Sequence, residues 1–403
     1  MGVANFKSEI PQQKSRKIMI VAGEASGDKH GAALARALMR LYPQTRFEIF
    51  GSGGDEMRAA GVETLVDARD VAIIGIPEIA RALGRLYRAY RDLLHAALTR
   101  RPDVVVLIDW PDFNMRLARR LRWHGFKIVY YISPQVWAWR KYRVRALRRD
   151  VDRMLVILPF EEEFYRNYGM EVEYVGHPLA EAVHVTSTRE EFTNRHGLDP
   201  SRPIIALLPG SRHKEIHYHL PAMLDAAHRI SNLKSQISNP QFIVPLASTV
   251  DRRQVDAIMV DAGVEAADRV IIAEGDTYNA VGHSEMAVVA SGTATVEAAL
   301  LGTPMVVIYR ASELNWRLIR PLISLDIFGM VNLIAGRRIM PELMQHDVTG
   351  EKIANEVAAI LSDPARLARM REDLRVVREK LFANGGAGPE RAARAVMRII
   401  QES

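Results

Sequence analysis

The chain contains no cysteine among its 403 residues. Disulfides, thiol nucleophiles and cysteine metal sites are therefore excluded, and nothing calls for an oxidising compartment. Aromatic residues are scarce, at 7%. No apolar run approaches the roughly 20 residues that span a bilayer. Residues 1–17 are polar and lack the apolar centre of a secretory leader. Two glycine-loop signatures are also missing. The loop after the first apolar run is neither Gly-x-Gly-x-x-Gly nor a Walker A loop. In His213-Lys-Glu-Ile-His217 the glutamate sits one place too late for a zinc-protease motif, and His219 completes no ligand set, so no metal is expected. What is present is ordinary for a water-soluble protein: 48% hydrophobic and 25% charged residues. A net charge of +6 suits an acidic partner, whether nucleic acid, anionic lipid or phosphorylated substrate. A cytoplasmic enzyme is expected, with attachment to a membrane face left open.

Short apolar runs recur along the chain at residues 17–22, 47–50, 104–108, 127–132, 154–158 and 173–175. After a polar stretch at 180–202 they resume at 204–208, 241–245, 270–272, 286–290 and 305–309. Strands alternating with helical stretches (the first helix read over 31–41) indicate parallel α/β sheets, here in two domains. The expected division is a loose tail (1–16), a first domain (17–185), a second (186–384), and a hinge with a closing amphipathic helix (385–403). That helix would pack back on the first domain or on a partner.

The most informative stretch is 286–309. It reads as strand, tight turn, helix, strand, with Ser291-Gly292-Thr293 as the turn. Backbone N–H groups at such a helix start can hold a phosphate. Ser291, Gly292, Thr293 and Thr295 are the candidate diphosphate contacts. Glu297 lies just past the first helical turn, four places from Thr293 and two from Thr295. That spacing does not fit a capping box, and it favours contact with a ribose. Leu207-Leu-Pro-Gly-Ser-Arg212 has the same strand-to-turn form. Gly210 and Ser211 would approach the ligand, and Arg212 offers a fork for phosphate; a solvated arginine beside a structural turn is the plainer reading.

In the first domain, Gly23-Glu-Ala-Ser-Gly-Asp28 follows the first strand and crowds Glu24, Ser26 and Asp28 at the ligand edge of an open sheet. A helix start capped by Ser26 or Asp28 would also explain it. Asp109 ends the apolar run 104–108 and is placed to act as a general base on a hydroxyl. Asp112 and Asn114 would orient it or bind sugar, or simply form an Asx turn. Tyr130 to Arg140, followed by further arginines, combines rings and cations. Sugar stacking with phosphate attraction explains this as well as single-stranded nucleic acid does. Ile73, Ile74 and Ile76 precede a helix that lines up Ile79, Leu83, Leu86, Tyr90, Leu93 and Ala97, with arginines off the stripe. That is a basic amphipathic helix for an anionic membrane face, or else a core helix with a solvated side.

Eight segments in this order resemble lipid-A-disaccharide synthases. They are Gly23–Asp28, Ile108–Asn114, Ser133–Arg140, Leu158–Glu161, Val175–Pro178, Leu208–Arg212, Ser291–Thr295 and Asn332–Gly336. The likeness runs from Ile18 to about residue 400. It implies two Rossmann-like domains facing across a cleft, the glycosyltransferase B architecture. It implies inverting transfer from UDP-2,3-diacylglucosamine to 2,3-diacylglucosamine 1-phosphate, giving the β-1,6 disaccharide 1-phosphate and UDP, with no cofactor. Asp109 would be the base. Glu24, Ser26, Asp28, Asp112 and Asn114 would shape the acceptor side. Gly210–Arg212, Ser291–Thr293, Thr295, Glu297 and Asn332 would hold UDP. The region from Ile73 to Leu86 would meet acyl chains at the cytoplasmic face of an anionic inner membrane. A homodimer exchanging the last helix is also implied. Two rival readings are a UDP-N-acetylglucosamine 2-epimerase of the same architecture and a non-enzymatic nucleic-acid binder. The second leaves both glycine turns unexplained, so no nucleic acid is expected.

Overall fold

The computed structural model describes residues 15–71, 79–138, 140–232, 239–247, 250–262, 270–313, 316–317, 327–382 and 388–402. Two compact units divide the chain. The first runs to Ile157, resumes over Glu161–Pro178 and regains the final helix, while the second holds Leu158–Phe160 and Leu179–Gly385.

In chain order the first stretch contains β1 (Ser15–Ala22), α1 (Ala25–Leu41), β2 (Arg46–Gly53), α2 (Asp55–Ala59), β3 (Glu63–Asp67), α3 (Ala68–Val71), α4 (Ile79–Arg100), β4 (Val104–Ile108), α5 (Pro111–Trp123), β5 (Ile128–Tyr131), α6 (Val144–Asp150), β6 (Arg153–Val156), α7 (Phe160–Arg166) and β7 (Glu173–Tyr174). Its strands pair in parallel in the order β3-β2-β1-β4-β5-β6-β7. Then follow α8 (Leu179–Ala182), α9 (Arg189–His196), β8 (Ile204–Leu208), α10 (His213–Asn232), β9 (Gln241–Leu246), α11 (Arg252–Asp261), β10 (Val270–Glu274), α12 (Thr277–Gly282), β11 (Met286–Ala290), α13 (Thr293–Leu301), β12 (Met305–Tyr309), α14 (Met330–Ala335), β13 (Glu342–Met344), α15 (Gly350–Leu361), α16 (Pro364–Leu381) and α17 (Gly388–Gln401). The second sheet is also parallel, ordered β10-β9-β8-β11-β12-β13.

The middle strands are covered on both faces, which is why they read as unbroken apolar runs. Every residue of β4, β8 and β11 is buried. In the first unit one sheet face packs α1 and α17, and the other packs α4 and α5. Helix α17 contributes Ala392, Ala393, Ala395, Val396, Met397, Ile399 and Ile400 to the first of these cores. Surface bonds rim that contact, among them Arg391 donating to the Tyr174 carbonyl at 2.9 Å and Arg398 pairing with Glu173 at 2.5 Å. Exposed ion pairs add little, so apolar burial holds the helix.

All eleven expected strands are present. β3 and β13 were not expected. Both are sheet-edge strands with mixed polarity, and such short half-exposed segments leave no apolar run. Helix α1 starts at Ala25, not Gly31, because its opening residues Ala25-Ser-Gly-Asp-Lys-His30 carry no apolar rhythm. The polar stretch 180–202 is folded. Thr188 and Glu191 form a reciprocal capping box at the start of α9. Asn279 accepts the N–H groups of Thr186 and Ser187 at 2.8 and 3.1 Å.

Candidate active site

In each sheet the strand order reverses direction once, between β1 and β4 and between β8 and β11. Ligands of open α/β sheets bind outside the carboxyl ends of the strands at this switch point. Ala22 lies beside Ile108 in the β1/β4 register, so Gly23 and Asp109 leave the sheet side by side. Leu208 lies beside Val289 in the β8/β11 register, which brings Pro209–Gly210 next to Ser291–Gly292. The three glycine turns singled out in the sequence, with the Asp109 turn, are the four turns at the two switch points.

Asp109 and Trp110 both have left-handed backbones, with φ of 46° and 48°. Two successive non-glycine residues there store strain of roughly 1–3 kcal/mol each. The surroundings hold it in place. The Asp109 carbonyl accepts bonds from the Tyr130 hydroxyl at 2.6 Å and the Asn114 side-chain amide at 2.8 Å. Asn114 also donates to the Ile108 carbonyl at 3.1 Å. Trp110 lies over Gly23, where an added Cβ would sit 2.1 Å from the indole, and stacks on Phe113 with centroids 3.8 Å apart. Any larger residue at position 23 would displace the ring.

The Asp109 carboxyl is pushed up to about 6, first by burial and then by the negative charge of Glu24; a backbone bond involving Trp110 opposes the shift. A carboxylate tuned towards neutrality can both hold and release a proton. Glu24 and Ser26 are exposed at the same edge.

Two of the expected acceptor contacts are placed differently. Asp28 is buried, and its carboxylate accepts the N–H groups of Gly54, Glu56 and Met57 at 2.7–3.1 Å. It caps α2 from a neighbouring helix, and caps α1 not at all. Asn114 is fully buried in the second turn of α5 and faces the strand's own carbonyls. It makes no Asx turn, and it braces Asp109 from beneath. Asp112 does lie at the surface, paired with Arg143 and, at 3.6 Å, with Arg140. The aromatic segment is also largely inward. Tyr130, Tyr131 and Trp137 are buried, and the Trp137 indole donates to buried Glu161 at 3.2 Å. Those rings offer no open face to a ligand: Tyr130 and Tyr131 sit on the interior strand β5, and Trp137 is buried in the loop that follows it. Trp139 lies outside the described residues.

In the second unit the two turns differ. At the first, Glu215 turns back and accepts the N–H groups of Ser211 and Arg212 at 2.9 and 3.3 Å. Its other oxygen pairs with the mostly exposed Arg212 guanidinium at 2.9 Å. This carboxylate occupies the donors expected to meet phosphate. At the second turn Gly292 is the N-cap of α13, with φ of 151°, and no side chain caps the helix. Gly292 and Thr293 are exposed and Ser291 is half-buried. The uncapped N-terminus leaves its backbone N–H groups without a side-chain partner, the arrangement that suits an anion. Thr295 is fully buried and its hydroxyl returns to the Gly292 carbonyl at 2.8 Å, so it shapes the turn and does not meet a ligand. Glu297 is half-buried and accepts from the Tyr278 hydroxyl at 3.4 Å. Burial and Glu297 push that phenol up to about 12.

Asn332 is also corrected. It is fully buried, donating to the Met340 carbonyl and to Glu342 and accepting from Ile339 and Met340, all at 2.8–2.9 Å. With no capacity left for a nucleotide, it positions Glu342. Glu342 in turn accepts from Phe328 and Gly329, and the Phe328 carbonyl accepts from Ser291 at 3.1 Å. Sequence reasoning missed Glu342 and Tyr278, and read Tyr130 and His219 only as a ring of the aromatic segment and an incomplete metal ligand. His219 is buried, bonded to the Pro209 carbonyl at 2.8 Å and the Arg310 N–H at 2.9 Å, so it ties the ends of β8 and β12 together. His213 and His217 face outward. Among the described residues no group of three or more His, Asp or Glu could hold a metal.

The apolar membrane stripe is only partly described. Ile73, Ile74 and Ile76 lie outside the described residues, as do the side chains of Ile79 and Leu83. Leu86 packs against the first unit's core beside Leu93 and Ala97, so from this point on the stripe is a core face.

Residues 18–395 match the family model described as lipid-A-disaccharide synthetase. A lipid-A-disaccharide synthase from Koribacter versatilis is 45% identical over 96% of this chain and 99% of its own. Among solved structures, a putative UDP-N-acetylglucosamine 2-epimerase from Listeria monocytogenes superposes with a TM-score of 0.62 at 15% identity, covering 96% of both chains. The calicheamicin glycosyltransferase does so with a TM-score of 0.59 at 15% identity, covering 97% of this chain and 99% of its own. At such identities these two likenesses speak for the fold alone.

Proposed function

We propose how the two units share one reaction from a single premise: this chain belongs to the lipid-A-disaccharide synthase family. It is a glycosyltransferase. The donor is UDP-2,3-diacylglucosamine and the acceptor 2,3-diacylglucosamine 1-phosphate. The acceptor's 6-hydroxyl attacks the donor's anomeric carbon opposite the UDP, the bond to UDP breaks, and configuration inverts. Asp109 takes the hydroxyl proton. Glycosidases need a second carboxyl to protonate a poor leaving group. A nucleoside diphosphate leaves as a stable anion, so the second unit need only stabilise its charge. The uncapped α13 N-terminus at Ser291–Thr293 does this with fixed dipoles. Glu297 holds the ribose, Arg212 and the Gly210–Ser211 turn border the diphosphate, and Glu24, Ser26 and Asp112 line the acceptor's approach.

The observation that carries this reading is Asp109: a strained carboxyl at the β1/β4 switch point, with a proton affinity raised towards neutrality. The epimerase reading shares the fold but has no support at 45% sequence identity, where the relative is a synthase. Among the described residues no helix is long and apolar enough to cross a membrane. Peripheral attachment at an inner membrane, through Ile73–Leu83, and a dimer exchanging α17 complete the proposal.

The test is mass spectrometry of purified protein with both lipids in detergent and chelator. Disaccharide 1-phosphate with stoichiometric UDP is expected. No product from folded protein, even after magnesium is restored, would sink the proposal. Retention of near-normal turnover by folded Asp109→Asn would remove Asp109 as the base.

A further inference from the structure

The outward face of α5 carries Arg116, Arg119, Arg120 and Trp123 at three- and four-residue spacing, hence side by side. Trp123 is 78% exposed, and the Arg120 guanidinium lies 4.7 Å from its ring centroid. With Tyr90 of α4 and Arg149 of α6 these side chains line a groove of about 530 Å³. Arg149 is neutralised by Asp150. Among the described residues no ion pair involves Arg116, Arg119 or Arg120. Exposed Arg85 and Arg88 of α4 carry further positive charge on the same unit. Along α5 the groove begins at Arg116, about 8 Å from Pro111, and ends at Trp123, about 18 Å from it. None of its side chains belongs to the site described above.

Three uncompensated guanidinium groups on one helix face repel one another, and an exposed indole beside them gains nothing from water. Both become favourable against a phosphate at an apolar boundary. Arginine forks match phosphate oxygens, and indole rings settle at the level of lipid headgroups. We propose that this groove binds the phosphate of an anionic glycerophospholipid headgroup, with Trp123 resting in the interface. Single-stranded nucleic acid also favours arginine and rings, but needs a track of exposed rings for successive bases. Here Tyr90 is half-buried edge-on to Phe113, and only Trp123 stands out. The proposal deepens the reading of a peripheral membrane enzyme, and its binding test does not depend on turnover.

The full chain is floated with phosphatidylglycerol vesicles and with phosphatidylcholine vesicles. Wild type should float with the first and not the second. The triple variant Arg116→Gln, Arg119→Gln, Arg120→Gln should bind roughly a hundredfold more weakly. A vesicle-induced blue shift in tryptophan emission should vanish in Trp123→Phe. Transfer in detergent should be unchanged in both variants, which shows them folded. Equal flotation of wild type and triple variant overturns the proposal, as does equal binding to both lipids. It is also overturned if inorganic phosphate releases the protein beyond what chloride of equal ionic strength does, for the groove is then a free-anion site. Oligonucleotide retention through the same arginines without flotation overturns it in favour of nucleic acid. Failure of transfer in wild type with intact flotation would refute the enzymatic reading alone.

Discussion

In the proposed reaction Asp109 is the base of the first unit, and its neighbours explain how it is held. Its backbone would relax if nothing held it, and two donors to one carbonyl prevent that. Asp109→Asn should cut kcat by about 10²–10⁴, the usual contribution of a general base, while UDP binding stays intact by calorimetry. Because the base works deprotonated, kcat/KM should rise with pH through about 6. In Glu24→Gln the like charge is gone, so the rising limb should move to lower pH. Tyr130→Phe removes one of the two bonds on the Asp109 carbonyl. It should cost about 0.5–1.5 kcal/mol of stability by urea titration. The fall in kcat should exceed any change in KM, as expected for a positioning residue.

At the scale of elements, the two helix starts of the second unit show why similar sequences need not make similar sites. Glu215 stands at the third position of α10 and caps it from within, whereas no side chain of α13 does so. Gly292→Ala keeps open space around the new Cβ but forces a side chain into φ of 151°. It should destabilise the turn by about 1–3 kcal/mol and raise KM for the UDP-sugar more than KM for the acceptor. In the first unit, burial holds His30 down to about 4 and His177 down to about 3, each imidazole standing near another positive or titratable group, Lys29 and His30 respectively. Both are depressed in the folded state. Their contribution is therefore complete above the unfolded histidine value near 6.5 and drains as pH falls through about 4 and then 3. Melting temperature should fall between pH 7 and pH 4, and fall less in His177→Gln.

Across the whole chain, the final helix belongs to the first unit although nearly all of the second lies between them. Val396, Met397, Ile399 and Ile400 are each at least nine-tenths buried there. At about 1.5–3 kcal/mol per large apolar side chain, they supply roughly 6–12 kcal/mol, comparable with the roughly 5–15 kcal/mol that holds a typical domain together. A chain truncated before Gly388 should lose the first unit's cooperative unfolding by calorimetry while the second unit still melts. By itself the sequence determined the α/β class, the two units, eleven of the thirteen strands, and the three glycine turns and the Asp109 turn at the switch points. Parallel interior strands must be apolar throughout, and tight turns at their ends need glycine and capping residues, so these features are written locally. Only the tertiary structure decided which polar residues near those turns stand exposed. Asp28, Asn114, Thr295 and Asn332 are small polar residues like Asp109 and Ser291, yet are buried on backbone partners. A polar side chain's role depends on which donors the fold brings to it, and those partners lie up to dozens of residues away.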